Sequence, residues 1–254
     1  MGHVLNYDGT MMQRLSLGLG LVCLVWVAGC KETVDSTDVR TSGIYAKYQA
    51  ISNGDTTQLT ARLLVGGDES NTDMRLTESD RLTGTVADES HRLTDGNNNQ
   101  MYEALFDETA GGTEVRISFT RGDDDEDAPN STASLPEEFT LDGVTANENI
   151  SRMDDIVITW EASADPDDSM EWDLEGDCIS TEFDLSQADS GTITIAAGRV
   201  EPKFEDDADQ TCDVTFTLDR ILAGTVDSNF NDDSDGPGEF DAIQRRKITF
   251  RSSP

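Results

Sequence analysis

The stretch CDVTFTLD, residues 212–219, decides the fold class. Cys212, Val214, Phe216 and Leu218 alternate without a break with Asp213, Thr215, Thr217 and Asp219. A side-chain period of two belongs to a half-buried β-strand, whose apolar set lies on one face and polar set on the other. The same pattern recurs along the chain. Ile156, Ile158 and Trp160 alternate with Val157 and Thr159, and Val115, Ile117 and Phe119 with Arg116, Ser118 and Thr120. Leu59, Ala61, Leu63 and Val65 form one more such face. Helical periodicity is nearly absent. Turn-forming clusters separate the runs: Gly66-Gly67, residues 95–99, Gly111-Gly112, Gly191 and residues 235–238. Many short strands with turn chemistry between them predict an all-β chain of antiparallel β-sandwich architecture.

Composition tests that reading. Leu, Ile, Val and Phe make up just under a fifth of the chain beyond residue 29, and the net charge is -34. Those values border on the disordered class. The strict alternation argues for folding, because a disordered chain has no reason to place its few apolar residues two apart. Strands are expected near 43–51, 57–65, 73–77, 81–87, 101–106 and 113–120 in a first domain, 43–121. A second domain, 137–254, is expected to use 138–142, 155–161, 170–174, 192–196, 211–219, 221–226 and 243–251. The acidic stretch 122–136 between them, with five consecutive carboxylates at 123–127 and prolines at 129 and 136, reads as a linker. Residues 30–42 read as a flexible tether.

The N-terminal region carries a separate signal. Residues 13–30, QRLSLGLGLVCLVWVAGC, combine a positive Arg14, an apolar run over 15–27, and small residues before Cys30. The run is short for a bilayer span of about 20 residues and has the flanks of a secretory signal. Its ending resembles the lipobox of bacterial lipoproteins. That resemblance implies cleavage of a signal peptide, residues 1–29, and lipid attachment at Cys30. It further implies a membrane partner through the lipid anchor and a place in the cell envelope. Lys31 follows the cysteine, which favours the outer membrane. The polar residues 1–10 precede the signal and point to a start at Met11 or Met12. Cys23 leaves with the signal, so Cys178 and Cys212 remain as an even pair in an oxidising compartment, and a disulfide is expected. The second domain loosely resembles immunoglobulin-like sandwiches in pairing a disulfide with an inward tryptophan. It departs from them in that Trp160 precedes both cysteines.

Charge excludes one class of partner. With 18 Lys+Arg against 52 Asp+Glu, a nucleic-acid backbone would be repelled, so no nucleic acid is expected. Abundant aspartate, scarce lysine and many threonines resemble proteins adapted to high salt, where carboxylates keep a surface hydrated. One acidic cluster has the spacing of a calcium loop: Asn231, Asp233 and Asp235 ahead of Gly236, in the order D-x-[DN]-x-[DN]-G with Asn first. Position twelve is Ala242 and not a bidentate glutamate, so calcium competes with a solvated acidic loop as the reading. No other cofactor is implied. His91 is the only histidine past the signal, and no G-x-S-x-G elbow accompanies it. These features predict a lipid-anchored envelope protein with a binding or architectural role for a protein or glycan ligand, and no enzymatic activity. The alternative is a carbohydrate-binding or accessory module of an exported hydrolase system.

Overall fold

A computed structural model describes residues 32–77, 79–122, 125–231 and 236–254. The expected signal peptide, Cys30, Asp233 and Asp235 lie outside the described residues. The rest is all β, with three short 3-10 turns. Among the described residues no helix is long and apolar enough to cross a membrane.

The first half of the chain supplies β1 (Glu32–Asp35), β2 (Ile44–Ser52), β3 (Thr57–Val65), β4 (Thr72–Arg75), β5 (Arg81–Val86), β6 (Glu89–Arg92), β7 (Tyr102–Phe106), β8 (Glu114–Thr120) and β9 (Ala128–Ser134). The second half supplies β10 (Asn149–Ser151), β11 (Ile156–Thr159), β12 (Ser169–Gly176), β13 (Glu182–Ala188), β14 (Thr192–Ile195), β15 (Cys212–Ala223) and β16 (Gly238–Ser253). One long sheet runs β1-β4-β3-β2-β16-β15-β12-β13, with β7 beside β3 and β10 beside β16. A four-stranded sheet, β6-β5-β8-β9, and a two-stranded sheet, β11-β14, complete the set.

Two sandwiches therefore share the long sheet. The first core joins Tyr48, Leu59, Leu63, Phe240 and Ala242 of that sheet to Leu82, Ile117 and Phe119 of the four-stranded one. The second joins Trp172, Leu174, Phe216 and Phe250 to Ile158 and Ile195 of the small sheet. The register of β15 on β16, from Cys212 opposite Ser252 to Ala223 opposite Asp241, puts the even-numbered side chains of both strands on the inner face. Along β16 that face begins with Phe240 and Ala242 in the first core and ends with Phe250 in the second. Gly238 opens the strand with φ +142°, where a Cβ would run into the carbonyl of Ala46 on β2.

Several expectations are corrected. The linker expected over 122–136 holds strand β9, paired to β8, because the repulsive acid run stops at Asp127 and the small residues Ala128, Ser131 and Ala133 are buried beyond it. The division into 43–121 and 137–254 does not separate the cores, since Phe230 and the start of β16 are buried in the first. Residues 32–42 of the expected tether are packed. β1 pairs with β4, and the buried guanidinium of Arg121 donates to the carbonyls of Ser36 at 2.9 Å and Val39 at 3.0 Å. The long sheet is mixed, with parallel pairs β16–β2, β1–β4 and β10–β16. Residues 211–226, expected as two strands, contain the single strand β15, and 138–142 contributes only a bridge at Asp142.

Candidate functional site: a cleft at a notch in the long sheet

The odd-numbered residues of β16 and β15 point to the outer face of the long sheet. On that face β2 ends at Ser52, opposite Gln244, and β10 takes up the same side of β16 only at Arg251. On its β2 side, β16 has no strand neighbour among the described residues from Arg245 to Phe250, while β15 flanks it throughout on the other side. A cleft of about 510 Å³ opens at this notch. Arg245, Arg246 and Lys247 line one wall, and the β2–β3 turn at Asn53–Thr56 lines another. Ile51 and Leu105, the latter 59% exposed, supply its apolar surface.

Local geometry fixes these groups. Asn53 Oδ1 accepts the backbone N–H groups of Asp55 and Thr56, each at 2.9 Å, which closes the turn. Gly54, at φ +92°, lets the turn approach Arg246, whose Cζ lies 3.5 Å from where a Cβ would stand. Arg246 donates from Nε to the carbonyl of Phe139 at 2.9 Å and from Nη1 to that of Arg245 at 2.8 Å. Its guanidinium lies 5.4 Å from the centroid of the Phe139 ring. Burial lowers its affinity for the proton. Arg245 makes a bidentate pair with Asp219, 2.8 and 2.6 Å, and that hydrogen bonding holds it above the usual value. Lys247 is exposed.

The Arg245–Asp219 pair separates this cleft from an acidic one of about 350 Å³, lined by Asp167, Glu171, Asp219 and Asp241 over Ile221 and Ile243. Burial, then repulsion from Glu239, raises the pKa of Asp241.

The residues singled out in the sequence are scattered. Cys178 and Cys212 form the expected disulfide, with Cα atoms 5.9 Å apart, tying the start of β15 to the chain after β12. Arg152 donates to Cys178 Sγ at 3.1 Å and to the carbonyls of Ala208 and Gln210, so this corner is a structural clamp. Asn231 is buried and donates its N–H to the carbonyl of Ile44. Its proposed calcium partners lie outside the described residues. His91 stacks on Phe106 at 4.8 Å and meets Glu89 through Nε2 at 2.9 Å. Trp160 and Trp172 are both buried. The sequence reading missed the basic wall, although its signal was present: 245–247 is the only run of three consecutive basic residues in a chain of net charge -34.

No family model matches the chain, and no curated protein matches it. Among solved structures, a segment of two fibronectin type III domains from chicken tenascin aligns over 82% of this chain and 99% of its own, at 10% identity and TM-score 0.23. Fibronectin(III)-like modules of Clostridium thermocellum CbhA align over 82% of this chain and 90% of theirs, at 11% identity and TM-score 0.26.

Proposed function

We propose that the mature chain is a lipid-anchored, non-catalytic module of the cell envelope that holds a partner in the cleft at the sheet notch. The observation that carries the binding role is the cleft itself, open to solvent at the notch, where the outward-facing Arg245 and Lys247 stand beside Ile51 and Leu105. The resemblance of the segment ending at Cys30 to a lipobox supports the anchoring. The burial of Trp160 and Trp172 weighs against the carbohydrate-module alternative, since sugar platforms need exposed aromatic faces.

Two experiments test the two halves. Intact-mass analysis of the membrane fraction is expected to find a chain beginning at an acylated Cys30, and Cys30→Ser to abolish the modification. An unmodified chain beginning at Met1 in the soluble fraction would remove the anchor. For the cleft, Leu105→Arg fills the space with a long charged side chain on an already exposed position. Binding of envelope components by the full chain is expected to fall with that variant and to survive Met153→Arg, at a residue 70% exposed and not lining the cleft. Equal binding by both variants would place the partner elsewhere.

A further inference from the structure

We infer that the Cys178–Cys212 disulfide is a thiol-exchange site, opened on the folded protein by a small thiol that attacks Cys212 and releases Cys178 as a thiolate held by Arg152. The inference is independent of the cleft and of the anchor. Among the described residues three arginines are buried, Arg121, Arg152 and Arg220. Arg121 faces Asp80 and Asp125, and Arg220 faces Asp189. Arg152 differs. Its Nε donates to the Ser252 hydroxyl at 3.2 Å, and its Nη1 to the carbonyls of Asp207 and Ala208 at 3.3 and 3.1 Å. Its Nη2 donates to the carbonyl of Gln210 and, at 3.1 Å, to Cys178 Sγ. All five N–H groups of the guanidinium are used, and every acceptor is neutral. Asp207 offers its main-chain carbonyl, and among the described residues no carboxylate forms an ion pair with Arg152. A buried charge without a counter-ion is costly, so the guanidinium favours any change that sets an anion beside it. Of its five acceptors only the sulfur can become one near neutral pH.

Opening the disulfide supplies that anion. A thiolate attacks Cys212 Sγ, the new S–S bond forms as the old one breaks, and the electron pair leaves on Cys178 Sγ. One thiolate replaces another, so this step needs no proton and no outside oxidant. A second molecule of the thiol then displaces Cys212 as a thiolate and is itself oxidised, with the first, to the small disulfide. Two observations set the direction. The cationic donor lies on Cys178, whereas Cys212 Sγ accepts the neutral backbone N–H of Cys178 at 3.2 Å. Charge-assisted hydrogen bonds are about twice as strong as neutral ones, so Cys178 is the better leaving group. Cys178 is also only 2% exposed, while Cys212 is partly open to solvent, so an incoming thiol meets Cys212 first. The disulfide still stabilises the fold; Arg152 lowers the cost of opening it in place.

The test treats the full-length protein, in detergent micelles without denaturant, with mercaptoethanol near neutral pH. Acid quenching and peptide mass mapping then locate the adduct and keep Cys23 and Cys30 apart from the pair. The adduct is expected on Cys212, with Cys178 free. An adduct mainly on Cys178, one shared equally, or no opening of the native protein overturns the inference. Arg152→Gln is expected to slow opening at least about threefold, and Arg152→Lys to retain the parent rate, because a poorer leaving group departs more slowly. The sign separates this role from bracing alone: a corner that merely loses its brace opens faster. An equal or faster rate in Arg152→Gln therefore overturns the inference. Should that variant fail to fold, the parent decides by its thiolate absorbance, reduced minus oxidised, followed against pH. One thiol of the pair is expected to ionise well below the ordinary value of about 8.5, and ionisation of both at or above it overturns the inference.

Discussion

Arg220 and Asp189 meet at 2.7 Å between the two cores, with side chains only 1% and 4% exposed. The guanidinium also donates to the carbonyls of Glu137 and Glu161 and lies 4.7 Å from the Phe139 ring centroid. Burial pushes the Asp189 carboxyl up, but the Ser163 N–H, the Trp160 indole and Arg220 outweigh it and hold the group below the usual value. The pair ties β15 to the chain on either side of the small sheet. Removing one partner strands a buried charge, so Asp189→Asn is expected to destabilise the fold by roughly 3–5 kcal/mol. Adding Arg220→Met should recover much of that loss. Urea unfolding of the single and double variants checks it, and additive losses would contradict it.

Because β16 lies in both cores, the two sandwiches are expected to unfold together. Calorimetry should show one transition for the described body, where tandem domains on a linker would show two. Reducing the Cys178–Cys212 disulfide, which closes a separation of 34 residues, should lower that single transition by roughly 3–4 kcal/mol. A split transition on reduction would mean that the shared sheet does not couple the cores.

Arg121 holds the start of the body. It also pairs with Asp80 at 3.3 Å and with Asp125 at 3.4 Å. Native protein should resist trypsin after Arg40, although that side chain is exposed, because the flanking backbone is fixed by Ser36, Val39 and Thr41. Arg121→Ala should open the site. Rapid cleavage of the parent after Arg40 would restore the tether that the sequence suggests.

How much of this is legible in the sequence depends on where the signal lies. Strands β2, β3, β8 and β15 announce themselves because their apolar residues recur every second position. Strand β9, APNSTAS, buries only small or hydroxyl side chains across a bulge, so nothing in its composition opposes a linker. The parallel pairing of β16 on β2 joins the two ends of the chain and leaves no local trace. The site has the same character. Three consecutive basic residues can be read directly, but they form a cleft only because β2 stops at Ser52, and that is a long-range fact.

Acidity should tune stability in a defined direction. Burial, as the largest cause, raises the carboxyls of Asp168 and Asp241 above the ordinary 3.8. Each then keeps its proton to higher pH in the folded chain than in the unfolded one. Their contribution favours folding at low pH and is lost as pH rises from about 3.8 through the folded-state values. Asp168→Asn and Asp241→Asn should therefore raise Tm near pH 7 and lose that advantage near pH 3. A Tm that falls at pH 7 in both variants would show that ionised forms are stabilised instead.

The most direct measurement of the central claim is photo-crosslinking in intact cells from three positions of the full-length protein. A photoreactive residue at Leu105 or Lys247 lies at the cleft, and one at Met153 lies outside its lining. Partner adducts from the first two positions, suppressed by Arg245→Glu, with none from Met153, are the expected result. Adducts from Met153 with none at Leu105 or Lys247 would contradict the assignment of the cleft as the place where the partner is held.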